Sequence, residues 1–414
     1  MEINKKYHLR KTCRICGKEN LAKVLDLGEM PPANSFIKKE DLDLPEDKFP
    51  LVVYFCRDCS LLQVLDIVNP NILFQDYDYL TSASKPLAFH FVEMAHLLKK
   101  QFIVSEDELM IEIGGNDGTL LEAAKNECRV LNIDPAANIA KISKEKGIPT
   151  INEFFTEEIA KDVLAKFGSA KVIVANNVMA HIDDLHDVFR GIKLLIGKSG
   201  TFVFEVHWVG NLVTEGGFDQ IYHEHLCYHS LLALQNLVSQ FSLQIFDIET
   251  VPIHGESMRV FVGDKDMFPV TERVKAFTER EKKLGLDHEE TFFEFANRVE
   301  GNKKELVSLL SQIKKDGKRI CGYGAPAKGN TLLNYFGIGS DVLDFLTDTT
   351  PMKQGLFSPG MHIPVLTPDV LEKDPPNYIL LLAWNYAEAI LKKESALREK
   401  GIKFIIPVPV VKLV

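Results

Sequence analysis

What this chain has little of narrows its function before any motif is read. No apolar run approaches the ~20 residues that a helix needs to cross a bilayer, so no membrane span is expected. Basic residues are in the minority: 48 Lys and Arg against 58 Asp and Glu give a net charge of −10, with no basic stripe. A phosphate backbone needs such a stripe, so nucleic acid is not an expected partner. Sustained heptads are missing, and with an acidic surface a monomer or loose homodimer is expected. No secretory leader is recognisable ahead of the cysteines, so a reducing cytoplasm is the expected location. Short-period repeats and low-complexity segments are also missing. The 414 residues, 46% of them hydrophobic, therefore read as two to three globular domains with real cores.

Cysteine is scarce, seven in all, yet four fall in two pairs, Cys13-x-x-Cys16 and Cys56-x-x-Cys59. A two-residue gap lets one turn present two sulfurs to one ion, and Zn²⁺ takes four thiolates tetrahedrally at about 2.3 Å. Gly17 supplies the tight turn after the first pair. Two disulfides are the rival reading, without a secretory context to support them. Four protein ligands leave no open coordination position, so the zinc is expected to be structural. The insert between the pairs is longer than a compact zinc ribbon allows and must have structure of its own. Cys128, Cys227 and Cys321 read as buried free thiols.

The pattern along the chain divides it into a zinc-binding module (1–75), a central α/β domain (76–265) and a smaller C-terminal α/β domain (266–414). Residues 87–101 read as an amphipathic helix. Strands are expected at 109–113, 130–134, 172–176 and 201–206, alternating with helical stretches, which marks a doubly wound parallel sheet. A charged helical connector spans 270–315. A second alternating unit follows, with strands at 319–324, 342–346, 378–384 and 403–407 and a helix at 327–336.

Glu112-Ile113-Gly114-Gly115-Asn116-Asp117-Gly118 follows a strand and opens a helix. It lacks the Gly-x-Gly-x-x-Gly of dinucleotide sites and resembles the acidic, glycine-rich loop of class I S-adenosylmethionine methyltransferases, where Glu112, Gly114, Gly115 and Asp117 would wrap the amino-acid end of the cofactor. Asp134 ends the next strand, where a carboxylate accepts ribose hydroxyls. Phe154 and Phe155 are placed to pack on adenine, and Asn176 and Asn177 close a further strand beside the sulfonium.

Residues 220–229, Gln-Ile-Tyr-His-Glu-His-Leu-Cys-Tyr-His, concentrate titratable groups in one short segment, and His181 and His207 follow neighbouring strands that could converge on it. His-Glu-His lacks the four-residue spacing of a helical zinc site. A general base with donors for an oxyanion is the other reading, since imidazole takes up a proton near neutral pH. In the C-terminal domain, Gly322-Tyr323-Gly324-Ala325-Pro326-Ala327 does match the dinucleotide pattern, with Asp348 beyond a later strand. Lys328 at the helix start adds a cation to the positive end of the dipole, which suits any diphosphate, including that of a nucleotide sugar.

Taken in order, Cys-x-x-Cys-Gly, residues 27–36 (Leu-Gly-Glu-Met-Pro-Pro-Ala-Asn-Ser-Phe), Cys-x-x-Cys, the 112–118 loop, Asn-Asn-Val-Met-Ala-His (176–181), Tyr-His-Glu-His (222–225), residues 322–330 and Trp-Asn-Tyr-Ala-Glu (384–388) resemble the three-domain nucleotide-sugar C-methyltransferases. That family includes the C-3′-methyltransferase of tetronitrose biosynthesis, and the likeness covers essentially the whole chain. It implies a zinc-binding N-terminal domain, a central class I methyltransferase Rossmann-like domain and a smaller Rossmann-like C-terminal domain that contributes to nucleotide-sugar binding. It also implies S-adenosylmethionine as cofactor and a 4-keto-deoxysugar substrate, commonly on dTDP. By resemblance, His225 is the base, with Tyr222 and Glu224 beside it, His181 across the site, and Tyr79 (or Tyr77) as a further active-site tyrosine. Candidate substrate contacts are Arg259, Tyr323, Lys328, Asn330 and Lys353. Glu256 stands where the family segment His-Gly-Gly-Ser-x-Arg carries its second glycine, a departure that bears on sugar specificity.

Three rivals make different demands. A nicotinamide-dependent oxidoreductase using the C-terminal unit requires tight nicotinamide binding. A methyltransferase acting on oxygen or nitrogen needs no acidic C–H. A non-catalytic, zinc-anchored binding protein would tolerate loss of the 222–225 cluster.

Overall fold

The computed structural model describes residues 6–74, 80–253 and 256–414. Its centre is a seven-stranded sheet in the order Leu243–Val251, Ser257–Asp264, Thr201–His207, Val172–Asn176, Leu109–Ile113, Arg129–Ile133, Thr150–Ile151. Ser257–Asp264 runs opposite to the other six strands. Leu109–Ile113 and Val172–Asn176 are buried at every position, as expected of parallel strands covered on both faces. These two are adjacent, and the connections leave them in opposite directions. Gly114 and Asn176, with Asp134 one strand further on, therefore emerge around a switch point, where open α/β sheets bind ligands. The helix expected at 87–101 spans Lys85–Phe102; it buries Leu87, Phe91, Met94, Ala95 and Leu98 on one face.

The insert between the cysteine pairs supplies Leu21–Met30 and Phe49–Cys56 to an antiparallel sheet whose third strand, Leu62–Val64, follows the second pair. Its fourth strand, Cys227–Tyr228, comes from the central part of the chain, within the 220–229 segment itself. The charged connector expected at 270–315 is two helices, Glu272–Lys283 and Glu289–Lys315. The second buries Phe292, Phe295, Val299, Leu306, Leu310 and Ile313, with Phe292 against Phe55 at 4.9 Å between ring centroids. Its many charges lie on the outer face and disguise a stripe that braces the N-terminal sheet.

The C-terminal sheet runs Val365–Leu366, Leu346–Thr347, Ile320–Tyr323, Tyr378–Leu381, Lys403–Ile406, Lys412–Leu413, parallel except for the last. The strand expected at 342–346 is only Leu346–Thr347. Val342 and Leu343 are instead in a turn whose N–H groups meet the Gly339 carbonyl, and Asp344 turns out to Arg319. Among the described residues, no helix is long and apolar enough to cross a membrane.

Candidate active site

Ligand atoms of Cys13, Cys16, Cys56 and Cys59 all lie within 4.8 Å of one another. Two separations, Cys13 to Cys59 at 3.4 Å and Cys16 to Cys56 at 3.5 Å, exclude disulfides and approach the spacing of thiolates around one Zn²⁺. The two jaws share one geometry: Gly17 N–H donates to Cys13 O and Ser60 N–H to Cys56 O, with Gly17 and Ser60 both left-handed. Contact with the Cys56 and Cys59 sulfurs pushes the Cys13 thiol down, while contact with Cys13 pushes Cys59 up. Four such sulfurs become thiolates together only around a cation, so the residues fit structural zinc. The knuckle is docked on the central domain: His186 Nε2–H donates to Ile15 O at 2.7 Å, and Arg10 and Arg14 both meet Asp183 at 3.0 Å.

Asp183 also lines a cavity of about 340 Å³ at the carboxyl ends of the central strands. Its walls include Glu112, Gly114, Gly115, Asp134, Phe154, Phe155, Asn176, Asn177 and His181. Burial pushes the Glu112 carboxyl well above the carboxylate range, with the charges of Asp134 and Asp117 adding to it. Glu112 Oε2 and both polar side-chain atoms of Asn176 are buried with no hydrogen-bond partner among the described residues. Unpaired buried groups of this kind are costly unless a ligand meets them. Asp134 accepts backbone N–H groups of Asn116 and Ala136, both at 2.9 Å, and each oxygen keeps a lone pair for a ribose hydroxyl. Phe155 is packed against Gly191, whereas Phe154 is half open over the cavity. The cavity thus fits S-adenosylmethionine by its donor set and its lining. Asp117 does not share in it: its carboxylate receives Thr119 Oγ1–H at 2.7 Å and Ser82 N–H at 3.3 Å, with Lys146 at 3.4 Å. Burial raises that group, but these partners outweigh it and hold it low, so Asp117 pins the loop rather than facing a ligand.

His225 is the centre of the second half of the site. Its Nδ1–H donates to the Gln220 carbonyl at 2.8 Å, and its Nε2 meets the Tyr222 hydroxyl at 2.8 Å. A carbonyl only accepts, so the neutral ring carries its proton on Nδ1 and offers the Nε2 lone pair to Tyr222. The rings of His181 and His207 lie at 5.1 and 5.8 Å from that of His225. Burial holds His181 down at about 4, so it is neutral at pH 7. Both ring nitrogens of His225 being taken, Glu224 does not orient the ring. It turns to Asn34 of the N-terminal domain at 2.8 Å, and burial pushes it up to about 7 against the pull of Asn34 and Lys353. The other two histidines of the cluster are structural: His223 bonds Phe49 O and His229 bonds Met179 O. Tyr79 and Tyr77, like His254 and Gly255, lie outside the described residues.

The substrate candidates divide. Lys353 sits in the C-terminal domain with its ammonium 2.8 Å from Ala325 O, over Phe36, and close enough to Glu224 to lower it. Asn330 donates to Ala33 O at 2.8 Å and keeps a buried Oδ1 with no partner among the described residues. Lys328 is half-buried, and its charge faces Asp219 and Glu215. Tyr323 points instead to Glu394 (2.7 Å) and Lys393 (3.1 Å). Arg259 is removed from the list: it is buried in the central sheet, paired with Glu205 at 2.7 Å and Glu249 at 3.2 Å, so both ends of its guanidinium are spent. Asp348 caps its own loop, accepting Ala325 N–H and Thr350 N–H, where a dinucleotide site would need it for a ribose. Glu256 adopts φ +75°, the left-handed region natural to glycine, and bonds Arg280 at 3.1 Å. Asn34 and the Gln220 carbonyl are the participants that sequence reasoning missed, although both lie inside segments it singled out.

Three family models match the chain in order: a zinc-binding domain at 13–74, a methyltransferase domain at 88–247 and a C-methyltransferase C-terminal domain at 252–409. A curated relative, C-methyltransferase NovU of Streptomyces niveus, is 34% identical over 402 residues, covering 96% of this chain and 95% of its own. Among solved structures, magnesium protoporphyrin IX methyltransferase of Synechocystis PCC 6803 is 12% identical over 43% of this chain and 83% of its own (TM-score 0.34). An S-adenosylmethionine-dependent methyltransferase of Anabaena variabilis is 13% identical over 43% and 86% (TM-score 0.32). The structural likenesses are too slight to add to what the full-length relative establishes. This chain belongs to the three-domain, zinc-binding, S-adenosylmethionine-dependent C-methyltransferases.

Proposed function

We propose that the enzyme methylates a carbon beside the ketone of a nucleotide-linked 4-keto-deoxysugar, and that the substrate is a dTDP sugar methylated at C3. The observation that carries this reading is the state of His225: Nδ1 is committed to the Gln220 carbonyl, and Nε2 is presented beside a phenol and beside His181 on the cofactor wall. Carbon becomes a nucleophile here only after losing a proton, and a ketone at C4 makes H3 acidic. His225 Nε2 takes H3, and the C–H pair moves into the enolate. Tyr222, released from Nε2, and neutral His181 donate hydrogen bonds to the developing oxyanion, a kind of interaction worth about 3 kcal/mol per donor. Tyr79 is a further candidate donor. Glu224, near its midpoint at neutral pH, and Lys353 are assigned to the sugar end, with Lys328 and Asn330 as the contacts offered by the C-terminal domain. Bound S-adenosylmethionine supplies the electrophilic methyl for the enolate carbon.

The test is NMR in D₂O with enzyme, S-adenosylhomocysteine and a panel of dTDP-4-keto-6-deoxyhexoses. Loss of the C3–H signal is expected with the wild type and not with His225→Ala, which should still bind S-adenosylmethionine. Exchange that survives His225→Ala would remove this residue as the base. Absence of exchange across dTDP- and GDP-linked sugars would sink the carbanion mechanism.

A further inference from the structure

The 384–388 segment has no role in the scheme above, yet its first residue reaches into the methyltransferase domain. Trp384 Nε1–H donates to Asp219 Oδ2 at 2.6 Å, both residues being buried. Asp219 lies in the single 3₁₀ turn Phe218–Gln220, and the last carbonyl of that turn is the one that receives His225 Nδ1–H. The preceding residue of the turn is also held from the C-terminal domain: Phe218 stacks on Phe336 with centroids 5.1 Å apart and planes at 17°. Two consecutive side chains thus fasten the turn to another domain, and the third residue orients the catalytic imidazole. The second oxygen of Asp219 is buried with no hydrogen-bond partner among the described residues, and the charge it faces is Lys328.

We propose that Trp384 and Asp219 are a positioning pair for the base: they tie the Phe218–Gln220 turn to the C-terminal domain and thereby hold the Gln220 carbonyl against Nδ1 of His225. Neither residue lines the cofactor cavity. Its effect is to keep the proton on Nδ1, so that Nε2 accepts H3 only while the C-terminal domain is docked. A domain that binds substrate would in this way also complete the base. The proposal rests on the reading of His225 as the base, but its direct readout does not require a substrate.

That readout is the His225 tautomer, from long-range ¹H–¹⁵N spectra of the full-length chain labelled at histidine, with His225→Gln identifying the resonance. The wild type should be Nδ1-protonated. Trp384→Phe keeps an aromatic ring at the interface but removes the donor together with part of the indole's bulk, so the Asp219 variants separate the hydrogen bond from packing. It should give a mixture of tautomers and slow C3–H exchange at saturating sugar about tenfold, with KM and S-adenosylhomocysteine affinity unchanged. Asp219→Ala should behave alike, whereas Asp219→Asn, which retains an acceptor for the indole, should restore the wild-type tautomer. A wild-type tautomer in Trp384→Phe or Asp219→Ala overturns the proposal. So does a loss of exchange that merely parallels a fall in thermal stability and cofactor affinity. If the tautomer shifts as stated while no sugar exchanges, the pair stands and the reaction assigned to the site fails.

Discussion

Gly115→Ala is the sharpest probe of the cofactor cradle, because the structure isolates sterics from backbone strain there. Unlike Gly114, Gly115 is not in the left-handed region, so alanine is conformationally acceptable. The added methyl would nevertheless lie 2.5 Å from Asn132 Oδ1 and 2.8 Å from Glu112 Oε2. Neither neighbour yields easily. Asn132 donates to Asn116 O and Ser143 Oγ, both at 3.1 Å, and Glu112 is buried at the end of the strand that carries the loop. Relief therefore comes from displacing the loop into the cavity. Overpacking of this kind costs about 1–3 kcal/mol. If most of it falls on the bound state, affinity for S-adenosylmethionine drops about tenfold to a hundredfold. Calorimetric titration with S-adenosylmethionine and S-adenosylhomocysteine measures this directly, with near-ultraviolet dichroism to show that the fold persists. Gly301→Ala is the control: it lies in the helix Glu289–Lys315 with nothing within 4 Å, and should raise stability by about 1 kcal/mol while leaving affinity alone. Undiminished affinity in Gly115→Ala would refute the placement of the cofactor against this loop.

Removing zinc should do more than loosen the N-terminus. Chelation frees the knuckle that carries Arg14 and Ile15, and with it the ties to Asp183 and His186, so cofactor affinity should fall and recover on adding Zn²⁺. Unchanged affinity in a chelated, verified metal-free chain would show that the two sites are independent. Glu281→Ala should destabilise the chain by about 3–5 kcal/mol in urea titrations, since one buried carboxylate satisfies Trp208 Nε1–H and the N–H groups of Leu231 and Leu232. Glu281→Gln should lie between, and a loss below about 1 kcal/mol would contradict this accounting. His223 is held down at about 4 by burial, offset in part by backbone carbonyls. An imidazole whose folded value lies below its unfolded one stabilises the fold above about pH 6.5, and that contribution is lost as pH falls towards 4, at about 1 kcal/mol per pH unit. Glu224, raised to about 7, acts oppositely, its contribution being lost as pH rises towards 7. His223→Gln should therefore flatten the fall in unfolding midpoint between pH 6.5 and 5, and parallel curves for the two proteins would contradict the burial of a neutral ring.

How much of this was legible in the sequence depended on whether the information was local. The cysteine pairs, the 112–118 loop, Asp134 and Asn176–Asn177 each sit at a fixed offset from a strand or turn, so spacing alone located them. Arg259 and Asp117 looked equally functional, because charge beside a motif carries no mark of which partner it will find. In the fold those partners are Glu205, Glu249, Thr119 and Lys146. The Asn34–Glu224 bond joins residues 190 positions apart, and Trp384–Asp219 joins residues 165 apart. Both depend on how separately folded units dock, which leaves no periodicity to read. The same holds for the long helix at 289–315, whose buried stripe has meaning only against the sheet it covers.

These nonlocal contacts converge on one segment, residues 218–229, which has almost no regular structure of its own. Phe218 and Asp219 are gripped by the C-terminal domain, Glu224 is bonded to Asn34, and Cys227–Tyr228 is the edge strand of the zinc-domain sheet. Leu226 and Cys227 N–H groups both meet Ala180 O, beside His181 on the cofactor wall. A loop holding His225 by itself would sample many ring orientations, and the entropy of fixing one would oppose catalysis. Here contacts from the N-terminal sheet, from the cofactor wall and from the C-terminal domain supply that ordering. The zinc is therefore remote from the chemistry in role but not in consequence: it stabilises the unit whose sheet is completed by the strand two residues after His225. The segment that carries His225 is thus fastened from three sides: by the N-terminal sheet, by the Ala180 carbonyl and by the C-terminal domain.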